Sequence, residues 1–362
     1  MTLSFKIAVF EGDGIGPEIM APTLEILEFL QAKNAGYALS FHTLPAGAKH
    51  YEETGISLPD HSLRVAQASD AILLSAMGLP DIRYPDGTEI APQIELRKEF
   101  DLYAGVRPVT VRDAKFSPLA RPNGETIDFV LIRESTEGLF HSMGNGTVTE
   151  NEASETLLIT RKISEKLFDF SFNLARQRKA TGIGKGHVTC VDKANVFRAF
   201  AFFRNIFKER AAKYPDIQSD HAYVDAMALW MIQKPWEFDV MVTENMFGDI
   251  LSDLGAGLMG GLGIAPSADI GDDHAVFQPC HGSAPDIAEQ GTANPVAMIL
   301  SAAMMLEWLG YRHDNQSLLE DAVLLKNAVN SVLSDATHVT RDLGGNATTK
   351  QASDAVMNKL VA

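Results

Sequence analysis

Lys6-Ile7-Ala8-Val9-Phe10-Glu11-Gly12-Asp13-Gly14-Ile15-Gly16-Pro17-Glu18 is the stretch that decides the fold class. Residues 6–10 read as a buried strand and 11–16 as a glycine-rich turn. Pro17 then opens a helix over 18–31, because proline lacks only an amide that a helix start leaves unbonded anyway. Strand, turn and helix in succession are the unit of an α/β protein. Downstream the alternation continues, with apolar runs at 71–75, 129–132, 188–191 and 240–243. Helical periodicity is clearest at 154–178, 195–214, 225–233, 294–309 and 318–334. Residues 144–152, polar and glycine-rich around Thr147-Val148-Thr149, read either as an arm or as a surface loop.

A chain of 362 residues exceeds what one hydrophobic core usually serves, so two lobes are expected. The formal charge of −16 repels phosphate backbones and anionic membrane surfaces, which argues against nucleic acid or lipid as partner. An anionic substrate must therefore meet a local cluster of cations. No run of about 18 apolar residues is present to span a bilayer. Met1-Thr2-Leu3-Ser4-Phe5-Lys6 leads into the first strand without the features of a secretion signal, so the cytoplasm is the expected compartment. Cys190 and Cys280, the only cysteines, are read as free thiols.

The chemistry concentrates in Thr243-Glu244-Asn245-Met246-Phe247-Gly248-Asp249-Ile250-Leu251-Ser252-Asp253. On a helix, Asp249 and Asp253 stand at i and i+4 and share one face. No Lys or Arg lies within four residues, so a hard divalent cation such as Mg²⁺ or Mn²⁺ would relieve their repulsion. The plain alternative is a solvated acidic face. Asp225, a lone charge at an apolar helix start, is either an N-cap or a third oxygen ligand. Arg133 ends the apolar run 129–132, and Arg97 and Arg107 bracket another segment. Guanidinium forks match carboxylates, so together they suit a di- or tricarboxylate, though each alone fits a structural salt bridge. Lys193 follows the run 188–191 and is a candidate general base if it is desolvated near cations.

Gly255-Ala256-Gly257-Leu258-Met259-Gly260 matches GxGxxG, but it follows a helical rather than a strand pattern and is discounted as a dinucleotide fingerprint.

Seven motifs in order resemble the isocitrate/isopropylmalate dehydrogenase family of metal-dependent β-decarboxylating dehydrogenases. They are Gly12–Glu18, Leu96-Arg97 through Arg107-Pro108, Ile132-Arg133-Glu134, Val191-Asp192-Lys193-Ala194-Asn195, Tyr223-Val224-Asp225-Ala226, Asn245 to Asp253, and His281-Gly282-Ser283-Ala284-Pro285-Asp286 with Ala293-Asn294-Pro295. The resemblance implies an α/β, two-lobed subunit with a large mixed sheet flanked by helices, not a Rossmann fold. Residues 1–100 with 256–362 would form the cofactor-side lobe. Residues 101–255 would form the lobe with metal, substrate and dimer interface.

It also implies a homodimer with shared active sites. Arg97, Arg107 and Arg133 would hold substrate carboxylates. Asp249 and Asp253, with Asp225 of the neighbouring subunit, would bind Mg²⁺ or Mn²⁺. Lys193 of the neighbour would assist removal of the hydroxyl proton. His281, Gly282, Ser283, Ala284, Asp286 and Asn294 would line NAD, with Asp286 accepting from ribose hydroxyls and repelling a 2′-phosphate. The implied activity is NAD-dependent oxidative decarboxylation of a 3-substituted malate-type 2-hydroxy diacid.

Two departures bear on that activity. Phe140 stands where the family usually has a proton-donating Tyr, which raises oxidation without decarboxylation as an alternative, with His141 or water as substitute donors. Gln278 replaces a common Glu. The stretch 90–95 before Arg97 matches none of the known substituent-recognising patterns. A non-catalytic regulatory subunit or an anion-binding protein are the readings from other classes.

Overall fold

Leu3–Phe10 forms the first strand, β1, and its successive side chains enter two different cores. Phe5, Ile7 and Val9 join one apolar cluster, while Ala8 and Phe10 join the other. An apolar run, rather than an alternating one, is what burial on both faces requires. The computed structural model describes residues 3–120 and 124–361.

The helix α1 (Gly16–Lys33) follows with Pro17 in its first turn. Next come β2 (Tyr37–Thr43), α2 (Ala48–Thr54), α3 (Asp60–Gln67), β3 (Ala71–Leu74), α4 (Pro92–Glu99), β4 (Ala104–Thr110) and β5 (Asp128–Glu134). A small hairpin of β6 (Thr147–Val148) and β7 (Ala153–Ser154) precedes α5 (Arg161–Ala180). Then follow β8 (His187–Asp192), α6 (Arg198–Ala211), β9 (Gln218–Tyr223), α7 (Val224–Gln233), β10 (Val240–Thr243) and α8 (Asn245–Met259). The chain closes with β11 (Pro266–Ile270), β12 (Ala275–Pro279), α9 (Val296–Arg312), α10 (Gln316–Asp335) and α11 (Thr349–Val361).

Ten strands form one sheet in the order β2-β1-β3-β12-β11-β4-β5-β10-β8-β9. Pairing is parallel among β2, β1, β3 and β12, and again among β5, β10, β8 and β9. The central pairs β12–β11, β11–β4 and β4–β5 are antiparallel. The result is a large mixed sheet flanked by helices, not a Rossmann fold. Strands drawn from 1–100 and 256–362 occupy one side and those from 101–255 the other. They meet where Ala268, Asp269 and Ile270 pair with Val106, Gly105 and Ala104. Helices cover both faces: α1 contributes Ile19, Met20, Ile26 and Leu27 to one core, and α4 contributes Leu96 to the other.

Some local expectations change. The periodicity over 154–178 overreaches, because Ser154 belongs to β7 and the helix starts only after Thr160, whose hydroxyl accepts from the Ile163 amide. Helix α6 likewise begins at Arg198 rather than 195. Residues 144–152 contain β6 and lead into β7, with Val148 80% exposed, so they form a projecting arm. The GxGxxG match lies at the end of α8. A Cβ on Gly255 would come within 2.6 Å of Val109, so the glycine serves close helix–strand packing. Among the described residues no helix is long and apolar enough to cross a membrane. Both cysteines are free.

Candidate active site

The turn after β1 builds one wall of the site. Gly12 and Gly14 have φ of +78° and +58°, and a Cβ on either would strike the carbonyl of Ala76 or of Ser283. Glycine alone lets the turn lie so close. The Asp13 amide donates to Ala76 (2.8 Å) and the Ile15 amide to Ser283 (2.8 Å). The buried Asp13 carboxylate accepts from the amides of Ala48, Lys49 and Gly78. Ser283 also donates to the Gly78 carbonyl. Three distant segments are thereby tied behind a cleft of about 260 Å³. That size is small beside the roughly 300–1,000 Å³ of sites for drug-sized ligands and suits a small metabolite.

Into this cleft the fold brings Arg97 from α4, Arg107 from β4, Arg133 from the end of β5, and Asp249 and Asp253 from α8. Phe140, His281, Gly282 and Gln278 also line it. Arg133 is held on two sides. Its Nε and Nη2 donate to Asn245 Oδ1 at 3.1 and 2.8 Å, and its Nη1 pairs with Asp249. Asn245 is itself buried, with its amide nitrogen donating to the Glu137 carbonyl at 3.1 Å. Burial and the neighbouring Arg97 push the Arg133 guanidinium down to about 10, against the opposing pull of Asp249.

Asp249 is not the unrelieved carboxylate that its sequence neighbours suggest, because Arg133 reaches it from another strand. Asp253 has no salt bridge among the described residues, and partial burial together with Asp249 raises its carboxyl. Two hard oxygen donors one helical turn apart fit a divalent cation. Within one chain, however, the three aspartates do not assemble: Asp225 and Lys193 pair with each other, and neither lines the cleft. Among the described residues no group of three or more His, Cys, Asp or Glu is gathered for a metal. Asp225 is not an N-cap either. Tyr223 holds that position, and Lys193 keeps the exposed Asp225 carboxyl below its usual range.

The predicted nucleotide residues divide. His281 lines the cleft with Nδ1 2.9 Å from the Gly282 carbonyl, while its buried Nε2 has no hydrogen-bond partner. Burial lowers its pKa and favours the neutral ring. Ser283 and Ala284 continue the pinned loop, and Asp286 is exposed. The Asn294 amide is engaged within the fold, donating to Asp342 at 2.9 Å and accepting from the Val296 amide at 3.1 Å.

Asp269, a residue that the sequence reading passed over, lies behind the arginines. Its fully buried carboxylate accepts from Arg97 Nε (3.0 Å), Arg107 Nη2 (3.1 Å), Ser135 Oγ (3.2 Å) and Gln278 Nε2 (2.6 Å). Burial alone would raise it, but Arg107, Arg97 and Arg133 outweigh that and hold it at about 2. A lone Asp inside the short run Pro266-Ser267-Ala268-Asp269-Ile270 was the available signal. Phe140 presents its ring to the cleft with the Arg133 guanidinium 5.9 Å from the ring centre. His141 is exposed and is not among the residues that line the cleft.

An isocitrate/isopropylmalate dehydrogenase family model matches residues 6–356. The chain is 42% identical over 356 residues to a 3-isopropylmalate/3-methylmalate dehydrogenase of Methanocaldococcus jannaschii, covering 98% of each protein. It is 39% identical to a 3-isopropylmalate dehydrogenase of Streptococcus pneumoniae over 98% of this chain and 99% of that one. The solved isocitrate dehydrogenase of Methylococcus capsulatus superposes with a TM-score of 0.85 at 35% identity, covering 99% of this chain and all of the other.

Proposed function

Because the chain belongs to the isocitrate/isopropylmalate dehydrogenase family, we propose that it carries out NAD- and Mg²⁺- or Mn²⁺-dependent oxidative decarboxylation of a 3-substituted, malate-type 2-hydroxy diacid. The observation that carries this reading is the meeting of Arg97, Arg107 and Arg133 with Asp249 and Asp253 in one small cleft. In this reading the arginines hold the substrate carboxylates, and the Asn245 clamp fixes the plane of Arg133 before substrate arrives. Asp249 and Asp253, with Asp225 of a second copy of this chain, would hold the cation. A divalent cation there supplies Lewis-acid polarisation of the substrate's hydroxyl and ketone oxygens. Lys193 of the second copy would take the hydroxyl proton and bound NAD would supply the hydride acceptor; loss of CO₂ from the carboxylate β to the new ketone would leave an enolate whose carbon regains a proton from water, since Phe140 has none to give.

The dimer is supported by an unpartnered apolar face around those residues. Leu229 and Ile232 on α7 and Met246 and Ile250 on α8 are exposed, Ile250 by 63%, beside Asp249 and Asp253. His281 and the loop to Asp286 would receive the adenosine half of NAD, the bare His281 Nε2 acting as an acceptor. Residues 1–100 with 256–362 would act as the cofactor-side lobe and 101–255 as the metal, substrate and dimer lobe, in the cytoplasm.

A second reading, oxidation that stops at the 2-oxo acid, is favoured by the Phe140 ring, which has no proton to donate. The experiment measures NADH and CO₂ together, with Mg²⁺ or Mn²⁺, over 3-isopropylmalate, isocitrate, homoisocitrate, D-malate and tartrate. Matching NADH and CO₂ is expected. NADH without CO₂, with CO₂ release gained by Phe140→Tyr, selects the second reading. Absent NADH formation on every compound overturns both and leaves a regulatory or anion-binding protein, whereas metal-independent NADH formation overturns the metal-dependent part of the reading alone.

A further inference from the structure

Lys193 and Asp225 follow the ends of neighbouring strands, β8 and β9, whose last residues Asp192 and Tyr223 face each other in the parallel ladder. Arg204, on α6, reaches both of those facing residues. Its Nε and Nη2 donate to the two oxygens of Asp192 at 2.7 and 2.6 Å. The same guanidinium lies over the Tyr223 ring, 5.0 Å from its centre. The Asp192 carboxylate has no exposed surface, and it also accepts from the Ala194 amide at 2.7 Å, on the other side of Lys193. The turn that carries Lys193 is thereby tied at both ends to one carboxylate. Tyr223 is the N-cap of α7 and stands two residues before Asp225.

Asp192, Arg204 and Tyr223 are not among the residues that line the chain's own cleft. A buried ion pair adds little net stability over well-packed apolar side chains, so stability alone does not account for this one. A two-pronged guanidinium–carboxylate contact adds direction, because both hydrogen bonds form at only one orientation. Stacking on Tyr223 passes that orientation from β8 to β9. The direct Lys193–Asp225 ion pair does not fix the spacing by itself, since the Asp225 side chain is 68% exposed and the lysine stem is flexible.

We propose that Arg204 is a positioning residue: by clamping Asp192 and Tyr223 together, it sets the spacing of Lys193 and Asp225 that one copy of the chain presents to the cleft of the other. This inference rests on the proposed dehydrogenase reading with shared sites. A proton acceptor and an oxygen ligand that serve one substrate must both be in register at once, so their separation matters as much as the place of either.

The test uses Arg204→Lys, which keeps the charge but loses the fork and the flat face. At saturating Mn²⁺, kcat is expected to fall about 10–100-fold. KM for the diacid, gripped by Arg97, Arg107 and Arg133 of the other chain, should change less than about threefold. Binding of Mn²⁺ alone, read by electron paramagnetic resonance, is expected to weaken about tenfold. A hybrid dimer is then purified through two tags, one chain carrying Arg204→Lys and the other Asp253→Asn. The cleft of the Arg204→Lys chain receives an intact Lys193 and Asp225 from its mate. About half of the wild-type kcat is therefore expected from the hybrid, although each parent homodimer is nearly inactive.

A hybrid as inactive as its parents overturns the proposal, and so does an Arg204→Lys homodimer with lowered stability but unchanged kcat and Mn²⁺ affinity. If Arg204→Lys does not fold, Tyr223→Leu removes the stacked face at a ring that is 37% exposed and takes its place in the same hybrid. The same recovery supports the proposal and the same lack of recovery overturns it. Wild type that forms no NADH refutes the dehydrogenase reading instead. Mn²⁺ affinity, lowered in the variant and regained at one site of the hybrid, then decides for Arg204, and equal affinity throughout decides against it.

Discussion

Gly248 lies on α8 directly against the stem of Arg133. A Cβ at that position would stand 2.6 Å from Arg133 Cγ, 2.7 Å from its Cβ and 3.1 Å from its Cα. These atoms belong to the backbone and first side-chain carbons of a buried strand, so they cannot swing aside. Gly248→Ala gains about 1 kcal/mol of helix propensity. Against it stands an overpacking cost of roughly 1–3 kcal/mol as the contact opens from 2.6 Å toward about 3.4 Å. Overpacking wins, for an expected net loss of about 1 kcal/mol in urea denaturation. Activity should fall further than stability. A shift of somewhat under 1 Å in Arg133 breaks the registration of its fork with Asn245 and Asp249, and displacement on that scale costs about 100-fold in kcat/KM. NADH formation at saturating metal and NAD gives the activity, and denaturation midpoints give the stability. A variant about 1 kcal/mol more stable than wild type with unchanged kcat/KM would refute the packing argument.

Asp13→Ala leaves the amides of Ala48, Lys49 and Gly78, the first and last of them buried, without their shared acceptor, and should cost about 2–5 kcal/mol of unfolding free energy in urea denaturation. Asp13→Asn should cost about half as much, since one oxygen remains; equal losses would contradict the hydrogen-bond account. Burial pushes the Glu134 carboxyl from 4.5 up to about 7, despite donors from the Thr136 and Glu137 amides. The folded chain then holds this proton more tightly than the unfolded one, so stability is full below about pH 4.5 and falls by about 3 kcal/mol as pH rises to 7. Between pH 5 and pH 8 the urea midpoint of Glu134→Gln should change less than that of wild type; parallel pH profiles would exclude Glu134 as the source.

What the sequence disclosed depended on whether a residue's partners were near it in the chain. Strands β1, β3, β5, β8 and β10 are buried on both faces and announce themselves as apolar runs. The edge strand β9, with the sequence Gln218-Ser219-Asp220-His221-Ala222-Tyr223, carries mostly polar, exposed residues and has no such signature. Strands β4 and β11 carry Arg107, Pro108 and Asp269, and those polar interruptions hid them. The charged cleft residues were legible because an Arg or Asp at the end of an apolar segment is conspicuous. Their pairings were not. Asp249 looked unrelieved because its cation, Arg133, lies 116 residues away. Lys193 and Asp225, read as separate functional groups, meet across 32 residues. Asp269 stayed unseen for the combined reason: its strand was unread, and all its arginines are remote.

The β11–β4 junction also governs the mechanics of the molecule. The sheet crosses it without a break, so the two halves are joined by hydrogen-bonded strands rather than by a slack tether. Relative movement of the halves has to pass through the twist of the sheet at these three paired residues. Asp269 is one of those residues, and Arg107 stands on the facing strand. Any change of twist at this junction is therefore felt at the buried Asp269–Arg107 ion pair, which makes the stiffness of the sheet and the geometry of that pair a single property.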